Sequence, residues 1–470
     1  MRTTPPTPPV GVAADVKPSK YNFFIKYDDE TYYGYNFLYR SIVRIPSHAF
    51  GAVEQILSTA SSKEFEEHIS GESPELPPES LRALREAYFL IPQNLDELAL
   101  IKFRYFRSLF ANNSLSLVVL PTLRCNFSCP YCFEIKKPIT MNAEVEQALV
   151  GWVEKMSKNM RHLTVAWFGG EPLLAKNTII RLSERFQSLC TAVRASYGST
   201  LTTNGFLLDP TFQKRLASLG IGLVQITLDG DQEAHDKSRS LANGKGSFGR
   251  IYENILAFCE QRNDCDLILR LNCGDENYAG VENLLAKFPP AVRAKASLYF
   301  RWIWASEAAG CREFSRTARG TKPYQGLSHL YRTAKAHGWR TRNPLSRWSD
   351  GYCEADHLNH FQIGPDGNVF ICSHTYRASD AIGSVLDKTG MVRPDANNGY
   401  AQWYAAQPFD DPKCVECRLL PACLGGCRKG RVTGHPICVD ELGRLESYTQ
   451  DLIQERLSSI SGAASHNVAL

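Results

Sequence analysis

Six short runs rich in β-branched, aromatic and aliphatic residues recur between about Ser116 and Ser306, with helix-length segments between them: SLVVLPT, LTVAWFGG, STLTTNG, LVQITLDG, LILRLNC and SLYFRWIWA. Strands that alternate with helices pair in parallel through crossover connections, so this stretch predicts βαβ units and, with six of them, an α/β partial (β/α)6 barrel. Chemistry in such folds gathers at the carboxyl ends of the strands, where each of these runs meets a polar motif.

The flanks differ in character. The first twenty residues are rich in Pro, Thr and Ala without periodicity and read as a disordered tail, 1–20. From Tyr21, YNFFIKYDDETYYGYNFLY is aromatic on both sides of a polar DDET turn and reads as a hairpin, which SIVRIP extends. Helical patterns follow in SHAFGAVEQILS, PPESLRALREAYFL and NLDELALIKFRYFRSLF, the first and last opening at Ser and Asn. Three strands and then three helices predict a separate α+β domain over 21–112, ahead of the barrel at 113–310. A linking segment, 311–352, holds one helix in GLSHLYRTAKAHGW. The region 353–445 is Gly- and Pro-rich and holds seven of the fifteen cysteines, while 446–470 reads as a helix and tail.

Charge and cysteine usage narrow the function classes. A net charge of +4 spread along 470 residues lacks the concentrated basic face of a nucleic-acid binder. The amino-terminal sequence lacks the apolar stretch of a secretory signal, and no run of about 18 apolar residues follows, so a cytoplasmic chain with no membrane partner is expected. In that compartment thiols stay reduced, and fifteen cysteines are better read as metal ligands or small hydrophobes than as disulfides.

Cys125, Cys129 and Cys132 stand as C-x3-C-x2-C in PTLRCNFSCPYCFE, directly after the first strand. Three thiolates on one loop can ligate three irons of a [4Fe-4S] cluster and leave the fourth iron open. The same spacing also suits zinc or three unrelated cysteines. With Tyr131 before the third cysteine, the motif resembles the signature of the radical S-adenosylmethionine (radical SAM) superfamily. Other strand ends extend the likeness. GGEP, at Gly169, Gly170, Glu171 and Pro172, resembles the family's turn that binds the methionine amino group. Thr203 and Asn204 in TTNG, and Thr227 and Asp229 in QITLDG, occupy strand ends where the family contacts the ribose and the methionine carboxylate. Arg239 and Arg270 are candidates to pair with that carboxylate through a bidentate guanidinium. The resemblance implies that a reduced cluster passes an electron to bound S-adenosylmethionine, and that the 5′-deoxyadenosyl radical so released abstracts hydrogen from substrate. His235 is read as structural, and no catalytic side chain is assigned.

The distal cysteines, Cys353 and Cys372 with Gly367 between them, then Cys414, Cys417, Cys423, Cys427 and Cys438, resemble the seven-cysteine SPASM extension of peptide- and protein-modifying radical enzymes. That resemblance implies two auxiliary iron–sulfur clusters of [4Fe-4S] type, one on Cys414, Cys417, Cys423 and Cys438 and the other on Cys353, Cys372 and Cys427. Family members with a fully ligated second set supply a further cysteine just before the Cys353 position, where SRWSDGY stands here. Either Cys311 reaches in or one iron is open to substrate, solvent or another ligand. A zinc knuckle is the structural alternative. Cys190, Cys259, Cys265 and Cys273 fall in helix or strand patterns and read as buried hydrophobes.

Two substrate classes accompany such domains: sulfatase maturases, which oxidise a Cys or Ser of a protein, and maturases of ribosomally made peptides, which form thioether or C–C cross-links. The long segment ahead of the signature, and Ser373 after Cys372 where sulfatase maturases place an Asp base, both favour a peptide maturase. The order of strands and helices over 21–112 resembles the winged-helix leader-recognition domain of that family, to which a precursor's leader adds a strand. The expected partners are a precursor peptide with a leader and an electron donor such as flavodoxin or ferredoxin. A zinc-stabilised scaffold with no redox role is the alternative from another class.

Overall fold

The computed structural model describes residues 16–58, 78–157, 160–261, 264–303, 322–341, 353–374, 377–387 and 398–434, with 438, 449–450, 453–454, 457 and 468–469. The chain divides into two compact units: 1–108 with 348–352 and 407–470, and 109–347 with 353–406. The cysteine-rich stretch 353–445 is therefore shared between them.

In the first unit, β2 (Asn22–Lys26), β3 (Thr31–Asn36) and β4 (Ile42–Pro46) form an antiparallel meander, with the DDET segment turning where the Tyr27 N–H donates to the Thr31 carbonyl. Helices Ser47–Ser58, Pro78–Glu86 and Glu97–Leu109 follow. Val43, Ile45, Val53, Ile56, Leu84 and Phe89 form the buried core between sheet and helices.

Three local features differ from the sequence expectation. Val16–Pro18, assigned to the tail, form a strand (β1) antiparallel to Leu90–Pro92 (β5). The second helix stops at Glu86 because Tyr88 turns left-handed at φ 58°, and the YFL that follows leads into β5. The last helix is capped by Asp96, whose Oδ1 accepts from the Ala99 N–H, rather than by Asn94. A further strand, β16 (Val468–Ala469), runs parallel to β4, so the sheet order is β16-β4-β3-β2.

The second unit holds the six expected strands: β6 (Ser114–Val119), β7 (His162–Trp167), β8 (Ser196–Thr203), β9 (Ile221–Leu228), β10 (Asp266–Cys273) and β11 (Ala296–Trp302). All are parallel and adjacent in chain order. The sheet continues past β11 with β12 (Arg340–Thr341), and past β6 with β13 (His360–Ile363), β14 (Asn368–Phe370) and β15 (Gly383–Ser384). Alternation decides the two faces. Leu117, Val119, Val165, Trp167, Val224, Ile226, Leu269 and Leu271 belong to the buried core with the crossover helices. By the same alternation and register, Ser116, Thr164, Thr202, Gln225, Thr227, Arg270, Asn272, Tyr299 and Arg301 share the opposite face, which is mainly polar but also holds Val118, Ala166 and Ile268. Among the described residues, no helix is long and apolar enough to cross a membrane.

Candidate active site at the strand ends

The loop after β6 carries Cys125, Cys129 and Cys132, and backbone hydrogen bonds fix its course. Met141 and Leu123 N–H groups donate to Pro121 and Ile139 carbonyls, folding the loop back along its own return. On its far side Ser128 donates to Ser240 and Ala242 donates to Asn126. The turn after β7 clasps the same loop, with Gly170 donating to the Thr122 carbonyl at 3.1 Å and Glu171 to the Arg124 carbonyl at 2.8 Å. Glycine is required in this turn. Gly169 sits at φ 113°, and a Cβ on Gly170 would lie 2.3 Å from the Arg124 carbonyl oxygen.

Glu171 is wholly buried and spends its carboxylate inside the protein. Oε1 accepts from the Leu173 N–H at 3.0 Å and the Thr203 hydroxyl at 2.7 Å, and Oε2 from the Asn204 N–H at 2.8 Å. Burial pushes its pKa up, and those three donors oppose the rise. The Asn204 side chain donates to Asn126 Oδ1 at 2.8 Å, tying the end of β8 to the cysteine loop. Pro172 opens the short turn that follows, and Thr227 lies buried on β9 beside Arg270 of β10.

Tyr131 is the centre of a second network. Its hydroxyl donates to Asp229 Oδ2 at 2.5 Å and accepts from Arg239 at 2.9 Å and Asn272 at 3.2 Å. Asp229, fully buried, also accepts from Ser238 at 2.7 Å and Asn272 at 3.2 Å, and lies 3.9 Å from the Arg239 guanidinium. Burial disfavours the charge on Arg239, but Tyr131, Cys129 and Asp229 outweigh it and hold its pKa above the ordinary value. Arg270 donates to Asn272 Oδ1 at 3.0 Å and lies over the Tyr299 ring. Tyr131, Asp229, Arg239 and Arg270 thus meet in one chain of contacts beside the cysteines. His235 is buried between Ser247 and the Asp229 N–H, with burial holding its pKa well below the usual range, a structural placement.

The residues present fit a cluster. Burial raises the pKa of all three thiols, Cys132 to about 11, and Lys136 opposes the rise at each, joined at Cys129 by Arg239. The Lys136 ammonium is held beside the loop by the Phe127 carbonyl at 2.7 Å. Two cations near three soft donors favour the thiolate form that iron requires. Among the described residues no three His, Cys, Asp or Glu converge on one metal ion; a cluster asks each thiolate for a different iron.

Of the distal cysteines, Cys414, Cys417, Cys423 and Cys438 lie in the first unit, near enough to influence one another electrostatically. Burial, then Asp411 and the neighbouring thiols, push Cys414 up to about 11; burial and the other three thiols push Cys423 up to about 12. Cys427 follows on the same stretch. Cys353 and Cys372, in the second unit, lie close enough to interact electrostatically. Cys311 and SRWSDGY fall outside the described residues. Cys190, Cys265 and Cys273 are buried and Cys259 is half-buried.

Sequence reasoning missed Asn272, Ser238, Asn126, Lys136 and Glu134. Asn272 was accessible through period two from Arg270. Glu134, two residues past Cys132, is buried with neither carboxylate oxygen hydrogen-bonded among the described residues, and burial pushes its pKa up to about 8. No local pattern marks that burial.

Residues 119–286 match the sequence profile of the Radical SAM superfamily. A cysteine-type anaerobic sulfatase-maturating enzyme of Clostridium novyi is 24% identical over 357 residues, covering 69% of this chain and 90% of that protein. A serine-type anaerobic sulfatase-maturating enzyme of Klebsiella aerogenes is 22% identical over 335 residues, covering 64% of this chain and 76% of that protein. Among solved structures, anSMEcpe with bound AdoMet and Cp18Cys peptide superposes with a TM-score of 0.55 at 21% identity, covering 74% of this chain and 98% of that one. That likeness shows a shared fold. With the profile match spanning the cysteine loop, the GGEP turn and the Tyr131 network, this chain carries a radical SAM domain and is a radical SAM enzyme.

Proposed function

We propose that the enzyme modifies a ribosomally made precursor peptide, forming a thioether or C–C cross-link. Support comes chiefly from the sheet-and-helix assembly built from residues ahead of the radical SAM domain. The sulfatase-maturase match leaves nearly a third of this chain outside it, so the chain has material beyond what that chemistry uses. Among the described residues β2 is an edge strand of its sheet, and an extended leader could pair with it through main-chain hydrogen bonds.

In this reading Cys125, Cys129 and Cys132 hold the [4Fe-4S] cluster, and the Gly169–Pro172 backbone receives the methionine amino group. Glu171 keeps that turn in register with Thr203 and Asn204. Tyr131, Asp229 and Thr227 line the nucleoside side, and Arg239 or Arg270 meets the methionine carboxylate. Bound together, the reduced cluster and S-adenosylmethionine supply an electron and a 5′-deoxyadenosyl radical able to take hydrogen from carbon. Cys414, Cys417, Cys423 and Cys438 hold one auxiliary cluster, and Cys353 and Cys372 contribute to a second. A flavodoxin or ferredoxin supplies electrons in a cytoplasmic setting.

Oxidation of a Cys or Ser in a sulfatase is the second reading, favoured by the names of the relatives. Mass spectrometry of a candidate precursor peptide and of a sulfatase peptide, each treated with reconstituted enzyme, separates the two. A cross-link gives a product lighter by two hydrogens that resists fragmentation between the joined residues and requires the leader. An aldehyde at Cys or Ser of a sulfatase peptide, with no cross-link in the precursor, would overturn the proposal.

A further inference from the structure

Arg431 follows the last clustered cysteines, in the short helix Arg428–Val432. One of its nitrogens is fully used. Nη1 donates to the carbonyls of Gly425 at 2.7 Å, Gly426 at 2.9 Å and Leu424 at 3.3 Å. Those carbonyls converge because three consecutive residues are left-handed, Leu424 at φ 46°, Gly425 at 77° and Gly426 at 66°. L-residues with a side chain rarely hold that conformation, so LGG is built to receive one guanidinium nitrogen.

The other side of the guanidinium has no such partner. Nε and Nη2 are buried without a hydrogen bond among the described residues. An orphaned buried donor is unfavourable, more so when charged, so two on one cation need an explanation. Arg431 lies near enough to Cys414 to oppose the effect of burial and of the neighbouring thiols on it. Cys414, Cys417, Cys423 and Cys438 supply four sulfurs at this place, all within one unit. A cluster on four thiolates carries net negative charge, and more of it once reduced. Hydrogen bonds to cluster sulfur and a nearby cation both favour the reduced form and raise the reduction potential.

We infer that Arg431 is a tuning residue of the auxiliary cluster, held by the LGG carbonyls through Nη1 so that Nε and Nη2 are free to donate to the inorganic sulfide of a cluster on Cys414, Cys417, Cys423 and Cys438. The inference rests on reading those four cysteines as a cluster site. Its consequence is a more positive auxiliary potential, suited to accepting an electron from a substrate radical. Arg431 touches neither substrate nor the reacting atoms.

The test is a redox titration followed by electron paramagnetic resonance, on anaerobically reconstituted full-length chain. Cys125, Cys129 and Cys132 are changed to Ala so that only auxiliary signals remain, and Cys353→Ala with Cys372→Ala removes the second set. Arg431→Met should retain the iron and acid-labile sulfide of its parent and show a more negative midpoint. Arg431→Lys, which can keep one donor on the LGG carbonyls while losing the planar fork, should fall between. Should Arg431→Met fail to fold, Arg431→Lys alone carries the comparison. Unchanged midpoints at full iron and sulfide content would overturn the role of Arg431. A parent chain without iron and sulfide would overturn the cluster reading beneath it.

Discussion

Tyr131 holds three partners on one hydroxyl, and that concentration sets what a single substitution does. Tyr131→Phe takes from Arg239 its hydrogen-bond acceptor on the hydroxyl, and from Asn272 and Asp229 one of the contacts each makes. The expected loss is about 1–3 kcal/mol of stability in the metal-free chain, measured by urea unfolding. An unchanged midpoint would mean that the hydroxyl is not the hub. His360, buried on β13 with Ser116 as partner, behaves differently. Burial, aided by His357, pushes its pKa down to about 4. An unfolded histidine titrates near about 6.5, so the unfolded chain binds more protons between those values. Stability from this group is whole above about pH 6.5 and falls by about 3 kcal/mol as pH drops towards 4. His360→Gln should flatten that part of the stability profile, as read by denaturant unfolding at pH 5 and pH 7.5. Most residues at this scale were legible because they sit at the ends of recognisable strands: Glu171, Asn204 and Asp229 each follow a β-rich run. Lys136 and Glu134 were not, since only the folded loop brings one beside the thiols and buries the other.

At the scale of elements, the GGEP turn and the cysteine loop act as one piece, because each closes on the backbone of the other. Gly170→Ala should push the turn away from the Arg124 carbonyl of the cysteine loop and reduce iron incorporation at the first site several-fold, while the sheet itself persists by circular dichroism. Normal iron content in that variant would contradict the clasp. The six parallel strands were legible from periodicity alone, since each is an apolar-rich run bounded by a polar motif. β13 escaped notice because HFQI is four residues long and buried on both faces, which leaves no alternation to read. β1 and β5 escaped for another reason: each is three residues long, and their pairing joins positions more than seventy residues apart.

At the scale of the molecule, the cysteine-rich stretch does not form one body. Cys353 and Cys372 belong with the parallel sheet, whereas Cys414 to Cys438 belong with the amino-terminal strands and helices. Composition marked the stretch as distinct, but composition carries no information about which sheet a four-residue strand joins. If the distal set holds clusters, replacing Cys414 and Cys417 by Ala should remove about one cluster's iron and sulfide while leaving cofactor cleavage at the first site intact. Iron, sulfide and nucleoside analysis check this together, and loss of cleavage along with the distal iron would contradict independent sites. The central claim concerns Cys125, Cys129 and Cys132. Its most direct measurement is chromatographic detection of 5′-deoxyadenosine after reconstituted enzyme meets S-adenosylmethionine and dithionite without oxygen. The intact chain should produce it, and the Cys125→Ala, Cys129→Ala, Cys132→Ala chain should not; no nucleoside from an intact chain loaded with iron and sulfide, or equal amounts from both, would contradict the account.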